Sequence, residues 1–275
     1  MDIGNIGNIG NMKATDVKAY ISNILKSEDE SIDYEALIKT LEDDSRLTVK
    51  KLGKNVINFL KNRKKEIIRV RNMYEFDKKY INGGTYLAGA DEVGRGPLAG
   101  PIVAASVVLD LDTINDDNLI LRINDSKKIS FEVREELSKI IRKRAVSYSI
   151  QEISNEEIDK KGIAWCNNEV LKRSVCELKI SPDLVLSDGY KIKNCTISNE
   201  FVVKGDAKSA SIACASIIAK VYRDNLMIEY SKIYPEYMFN KNMGYGTKEH
   251  IEAIKKFGCT PIHRKSFLTN ILNKF

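Results

Sequence analysis

Four carboxylates stand where chemistry could be done. Asp91 closes the apolar run TYLAGAD (residues 85–91) and Glu92 follows it directly. Asp188 closes LVLSD (residues 184–188), and Asp206 follows VVKG (residues 202–205). Isolated acids are ordinary; apolar, strand-like runs that each terminate in an acid are not. If those ends lie together, the like charges repel and each loses water. Divalent cations relieve both costs, and an all-oxygen ligand set favours Mg²⁺ or Mn²⁺ over zinc. Two such ions about 4 Å apart support in-line hydrolysis of a phosphodiester, one activating water and the other stabilising the leaving oxygen. That chemistry needs neither a histidine nor a covalent nucleophile, which suits a chain whose histidines are His250 and His263 alone. Taken singly, Asp188 in SDG and Asp206 in KGD would be turn residues or helix caps.

One local difficulty accompanies the first pair. Consecutive residues of a strand point to opposite faces, so Asp91 and Glu92 cannot aim at one point from a regular strand. Gly94 makes a bend or bulge plausible just beyond them. The strand is therefore expected to end or distort at Glu92, and a regular strand through Val93 would count against both acids being direct ligands. The glycine-rich residues 94–100, taken alone, read as a hairpin turn.

The elements that must position these acids are legible from periodicity. TYLAGAD and the valine-rich PIVAASVVLD (residues 101–110) read as strands, the second buried on both faces. Val133, Leu137, Ile140 and Ile141 form one helical face, and AVSYSIQEI returns to strand character. Ser154 and Glu157 make an S-x-x-E capping box that opens another helix. DLVLSDG and TISNEFVV are further strands, and a helix rich in alanine and serine runs from about Ala207 to Lys232, with Pro235 stopping what remains. Strands alternating with helices imply an α/β or α+β layered domain.

Upstream, residues 3–11 repeat IGN three times, so residues 1–12 are expected to form a disordered tail. Residues 13–80 read as a charged helical extension that ends where NGG (residues 82–84) breaks the pattern, and residues 81–275 as the main domain. Within the extension, residues 49–71 carry nine Lys/Arg against the single acid Glu66, with Val56, Phe59, Leu60, Ile67 and Ile68 at near-helical spacing.

Composition narrows the function classes. The 275-residue chain is 43% hydrophobic and 30% charged, enough for a sizeable core and a soluble surface. Its net charge of +6 is compatible with a polyanionic partner. Cys166, Cys176, Cys195, Cys214 and Cys259 are odd in number and lack a CxxC pair, which argues for reduced thiols in a cytoplasmic protein rather than disulfides or zinc. No signal peptide is visible, and no apolar run approaches the ~20 residues of a membrane helix. No GxxxxGK[ST] marks a P-loop, and no GxSxG marks a nucleophile elbow. Without coiled-coil heptads, a monomer is the default.

Six motifs in order carry a resemblance. GADEVGRGPLAGPIVAASVVL, NDSKKIS, LVLSDG, VVKGDAKSASIACASIIAKVYRD, GYGTKEH and HRKSF resemble those of bacterial ribonuclease HII, over about residues 85–268. The resemblance implies a ribonuclease H-like mixed β-sheet flanked by helices, an α/β fold with a helical N-terminal extension and a helical C-terminal part. It implies Mg²⁺- or Mn²⁺-dependent cleavage of RNA paired with DNA. It also implies incision 5′ of single ribonucleotides embedded in duplex DNA, leaving 3′-hydroxyl and 5′-phosphate ends. The family's four catalytic acids fall on Asp91, Glu92, Asp188 and Asp206. Its GRG motif falls on Gly94, Arg95 and Gly96, a loop that senses the 2′-hydroxyl. Its junction-sensing tyrosine falls on Tyr245, packing against the sugar that follows the ribonucleotide.

Basic and polar residues in the matched motifs are candidates for phosphate contacts: Lys127, Lys128, Lys204, Lys208, His263 and Arg264. Ser209 and Ser211, near a helix start, are candidate donors to a phosphate, with helix capping as the alternative. The basic run at 50–71 could extend the nucleic-acid surface or be a solvated helix face. A ribonuclease HIII would carry lysine in place of Arg95 and a β-containing N-terminal domain. A non-catalytic binding protein on the same fold would lack at least one of the acids.

Overall fold

The computed structural model describes residues 6–27 and 31–272. The chain divides into two compact units, residues 1–69 and 70–275.

The first unit contains α1 (Ala14–Ser27), α2 (Tyr34–Asp43) and the first part of α3 (Leu47–Lys78). Its core follows helical spacing: Val17, Ile21 and Ile24 meet Leu37 and Leu41 and then Val49, Leu52 and Val56. No strand occurs among its described residues. The IGN repeat departs from the expected tail. Residues 1–5 lie outside the described residues, but Ile6–Asn11 form a 3₁₀ turn and Ile9 is buried in this core. Arg46 fixes the turn by donating to the carbonyls of Ile9 and Met12. A repeat that looks featureless supplies one isoleucine to a slot.

The second unit is built on a five-stranded sheet of order β3-β2-β1-β4-β5. The strands are β1 (Leu87–Val93), β2 (Ile102–Val108), β3 (Ser147–Ile153), β4 (Leu184–Asp188) and β5 (Asn199–Val202). β1 pairs antiparallel with β2, and β2 with β3, whereas β1, β4 and β5 run parallel. Three strands therefore deliver their C-terminal ends to one edge of the sheet, the usual place for a site in open α/β sheets.

The helices are α4 (Phe131–Arg144), α5 (Asn155–Lys161), α6 (Ile163–Cys176), α7 (Ala210–Ile233), α8 (Phe239–Asn242), α9 (Lys248–Phe257) and α10 (Lys265–Leu272). α7 packs on one face of β1 and β2, and α6 on the other. Ala88 and Ala90 bury against Cys166, Val170 and Leu171 of α6. Gly89, between them, faces α7, where a Cβ would come within 2.2 Å of the backbone of Ser211 and Ile212. The buried Ala210, Ala213, Ala215 and Ala219 let the helix approach this closely. α7 begins at Ala210, slightly later than the periodicity indicated, because Gly205–Ala207 form a separate 3₁₀ turn. The capping box is half realised: Glu157 N donates to Ser154 Oγ at 3.3 Å, but the Glu157 side chain pairs with Arg173.

The NGG break follows the end of α3, yet the units part earlier. Val70, Met73, Tyr74 and Asp77 of α3 are buried in the second unit. Tyr74 Oη accepts from Ile120 N at 3.3 Å, and Asp77 Oδ2 from Ser211 N at 2.8 Å. All five cysteines are free. Among the described residues, no helix is long and apolar enough to cross a membrane.

Candidate active site

A cleft of about 540 Å³ opens at the shared edge of the parallel strands, and Asp91, Glu92, Asp188 and Asp206 all line it. The register explains three of them. Gly89 pairs with Leu186 and Ala90 with Ser187, so Asp188 ends β4 beside Asp91, on the face covered by α7. Asp188 pairs with Val202 of β5, and Asp206 sits in the 3₁₀ turn just beyond. Gly205 N, in that turn, donates to Asp188 Oδ1 at 2.7 Å and ties the two strand ends together.

Glu92 differs, and an expectation fails here. β1 pairs with β2 without interruption through Val93↔Val103, so the strand neither ends nor bulges at Glu92. Asp91 leaves on the α7 face, and Glu92 on the α6 face with Ala88 and Ala90. A strand this regular counts against both acids being direct ligands. Continuous pairing with β2 is the physical reason, because a bulge would sacrifice ladder hydrogen bonds. The extra methylene of Glu92 lets it line the cleft from the far side of the strand end. Among the described residues, no three His, Cys, Asp or Glu side chains are drawn close enough to hold a metal ion as they stand.

The electrostatics record the crowding. Burial, then the charge of Glu92, push Asp91 well above the ordinary carboxylate range, against a hydrogen bond from Ser216. Burial also raises Glu92; Arg95 opposes it and Asp188 reinforces it. Asp206 is raised by burial and by Asp188 and Asp125, with Lys127 opposing. Glu92 Oε1 faces Arg95 Nη1 at 3.5 Å, while Glu92 Oε2 is buried without a hydrogen bond of ordinary geometry, although Asn167 of α6 stands near enough to favour the charge.

Gly94, Arg95, Gly96 and Tyr245 form one wall of the same cleft. Gly94 has φ +95°, and a Cβ there would lie 2.4 Å from Arg223 Nε, so the turn requires glycine. A Cβ on Gly96 would lie 3.9 Å from the Tyr245 ring, which puts the glycine loop and the tyrosine in neighbouring positions. Lys127 is exposed and lines the cleft.

Other expected contacts are redirected. His263 and Arg264 are buried, not phosphate-facing. Thr260 N donates to His263 Nδ1 at 2.9 Å, which leaves the proton on His263 Nε2 to reach His250 Nε2 at 3.1 Å; His250 Nδ1 then donates to Tyr245 O at 2.8 Å. Burial lowers both imidazoles, and the neighbouring His250 helps to push His263 down to about 4. Ser209 is the cap of α7, its hydroxyl accepting from Ile212 N at 3.1 Å, and Ser211 is buried. Lys128, Lys204 and Lys208 are exposed but do not line the cleft.

Four polar cleft residues have no counterpart among those expected from sequence: Ser126, Tyr190, Ser216 and Lys220. Ser216 and Lys220 are one turn apart on α7, a spacing that could have flagged them. Ser216 Oγ meets Ser126 Oγ at 3.0 Å, and Lys220 Nζ binds Asp224 at 2.7 Å. Tyr190 lies two residues past a strand-end acid, and the Arg95 guanidinium lies 5.0 Å from its ring centroid.

Comparison with known proteins identifies the family. Residues 88–270 match the family model of Ribonuclease HII, and residues 19–81 that of the Ribonuclease HII N-terminal domain. Ribonuclease HII of Clostridium novyi (strain NT) is 91% identical over 98% of this chain and 100% of its own length. That of Clostridium acetobutylicum is 56% identical over 90% and 98%, respectively. Among solved structures, ribonuclease H2 from Pyrococcus horikoshii OT3 superposes with a TM-score of 0.58 at 26% identity, covering 69% of this chain and 98% of that one. With matches running through both units and a near-identical relative aligned end to end, the chain belongs to the ribonuclease HII family of ribonuclease H hydrolases.

Proposed function

We propose that this ribonuclease H cleaves the RNA strand of RNA/DNA hybrids and incises 5′ of single ribonucleotides embedded in duplex DNA, leaving 3′-hydroxyl and 5′-phosphate ends. The observation that carries the reading is the convergence in one cleft of four strand-end acids with the Gly94–Gly96 loop and Tyr245. A cytoplasmic location belongs to the same proposal.

The cleft fits divalent cations by its donor set. The acids supply oxygen only, Asp91 and Asp206 are crowded by like charge, and Glu92 Oε2 is a buried acceptor in need of a partner. Asp91, Asp188 and Asp206 would hold Mg²⁺ or Mn²⁺ from the α7 side, and Glu92 from around the strand end. When bound, the ions would activate the attacking water and stabilise the leaving oxygen. Arg95, Lys127 and Lys220 give the cleft its cations and suit the flanking phosphates. The glycine loop admits backbone close to a ribose, whose 2′-hydroxyl distinguishes RNA from DNA. Tyr245 would pack on the following sugar, where a second 2′-hydroxyl would interfere.

The test is a duplex with one internal ribonucleotide, incubated with and without Mg²⁺ or Mn²⁺, using wild type and Asp91→Asn. Metal-dependent incision at the 5′ side of the ribonucleotide is expected, and its loss in the variant. Full activity in Asp91→Asn would refute the mechanism.

A further inference from the structure

Arg223 and Arg264 are the two largest fully buried side chains described, and neither forms an ion pair with a carboxylate among the described residues. A buried cation ordinarily demands an acid. Here the partners are main-chain carbonyls. Arg264 donates from Nε to Gly100 O at 2.9 Å, from Nη1 to Arg95 O at 3.1 Å and from Nη2 to Gly94 O at 2.6 Å. Arg223 donates from Nε to Pro101 O at 3.0 Å, from Nη2 to Ala99 O at 3.1 Å and from Nη1 to Met243 O at 3.0 Å. Five carbonyls between Gly94 and Pro101 are thus held by two guanidinium forks, and Arg223 also takes a carbonyl two residues before Tyr245.

This arrangement has a directional consequence. In a trans peptide the N–H points away from the carbonyl of the same unit. With the carbonyls of Gly94 and Arg95 drawn inward to Arg264, the N–H groups of Arg95 and Gly96 face the other way. Both residues line the cleft, and neither N–H has an acceptor among the described residues. The Tyr245 strip is held from the same side: Leu98 N donates to Gly244 O at 2.8 Å, and Met243 O accepts from Arg223.

We infer that Arg223 and Arg264 are positioning residues for substrate selection: Arg264 aims the amides of the glycine loop into the cleft, and Arg223 fixes the distance from that loop to Tyr245. The inference rests on the proposed reading of the loop and the tyrosine as sensors of two successive sugars. Carbonyl partners suit this role better than a carboxylate would, because a rigid fork with five donors sets peptide orientation at several points.

The test uses Arg264→Lys and Arg223→Lys in the full chain. Each keeps the charge but loses the fork. Cooperative thermal unfolding confirms that they fold, and kcat and KM are measured on a single-ribonucleotide duplex and on a continuous RNA/DNA hybrid. For the single ribonucleotide, kcat should fall about tenfold to a hundredfold, the scale expected of a misplaced contact, with KM nearly unchanged. The loss on the continuous hybrid should be smaller, so the ratio of the two activities changes. A purely structural role would lower both together. Amide hydrogen exchange supplies an arm that does not depend on substrate. Exchange should accelerate at residues 94–100 in Arg264→Lys, and at residues 94–100 and 243–246 in Arg223→Lys, with the rest of the sheet unaffected. Wild-type selectivity in folded variants, or unchanged loop exchange, would overturn the inference. Wild type failing to cut at a single ribonucleotide would instead overturn the proposed function, leaving the exchange experiment to judge the arginines.

Discussion

The carboxylate edge of the sheet and the arginine-held loop beside it both bury charge, yet they do so in opposite ways. Each of the six guanidinium nitrogens of Arg223 and Arg264 meets a carbonyl. At the sheet edge, a buried Asp91 and a half-buried Glu92 repel, and Glu92 Oε2 is left without a hydrogen bond of ordinary geometry. A saturated polar network fixes a shape, whereas an unsaturated one awaits a ligand. Substitution should therefore have opposite effects on stability in the two regions. Asp91→Asn should reduce cleavage on the order of a thousandfold or more, as expected when a charged group of the proposed two-ion site is removed, while stability rises, because a repelling buried charge is gone. Arg264→Met should lower stability by about 3 kcal/mol or more, since three carbonyls are left buried without donors. Urea midpoints and cleavage rates measured on the same two proteins check both. A stability loss in Asp91→Asn would break the contrast.

The next effect extends the comparison to pH. His263 is neutral in the fold because burial and His250 push it from 6.5 to about 4. Unfolded, it takes up a proton below about 6.5, so between those values the unfolded chain binds more protons. The stability contributed by the His250–His263 pair is present above pH 6.5 and is lost as pH falls toward 4, by up to about 3 kcal/mol for His263. Asp77 has the opposite sign. Burial raises it to about 6, so its contribution is present at low pH and is lost as pH rises from 3.8 through 6. Urea unfolding of wild type and His263→Gln between pH 4.5 and 7 separates the two: the variant should have a shallower decline on acidification. Equal slopes would show that His263 is not held neutral.

Sequence makes the saturated and unsaturated regions unequally visible. The acids are legible because each ends an apolar run, and parallel pairing of β1, β4 and β5 then gathers those ends. The arginines are not. Arg264 lies in a basic motif, HRKSF, and reads as a phosphate contact; its carbonyl partners are 164 to 170 residues away along the chain. Main-chain acceptors have no sequence signature, so a fully buried arginine looks like a surface one. The regular end of β1 is hidden for a related reason: Gly94 supplies the turn after Val93, and no bulge is needed within the strand. Ile9 is masked by its repeat, since periodic IGN says nothing about which isoleucine meets a core.

A smaller effect belongs to Tyr245, which has its carbonyl anchored by His250 but its ring exposed in the cleft. Tyr245→Ala removes the ring and leaves the anchor. Cleavage at a single ribonucleotide should fall about tenfold more than cleavage of a long hybrid, the discrimination available from one well-packed side chain. Equal losses would refute its role in reading the following sugar and would leave the arginine-held loop as the sole determinant of the junction.

The smallest expected effect lies in the first unit, which has an apolar core and carries its charge outside. Lys50, Lys54, Lys61 and Lys65 of α3 are all exposed, and at about 100° per residue they fall within roughly 60° of one another along roughly 22 Å of helix. Two acids beside the stripe are already engaged: Glu66 with Arg69 at 2.7 Å, and Asp44 with Arg46, which holds it low with help from Lys50. A single-signed stripe suits a polyanion, but lysines without a built pocket can only add sequence-independent attraction. Replacing Lys54, Lys61 and Lys65 with Gln should therefore weaken substrate binding without changing kcat or the ratio of the two activities. The slope of log Kd against log salt should become shallower by roughly 0.9 for each phosphate that the stripe no longer neutralises. An unchanged slope would make the stripe a solvated face, and it would confine recognition to the cleft where acids and arginines meet.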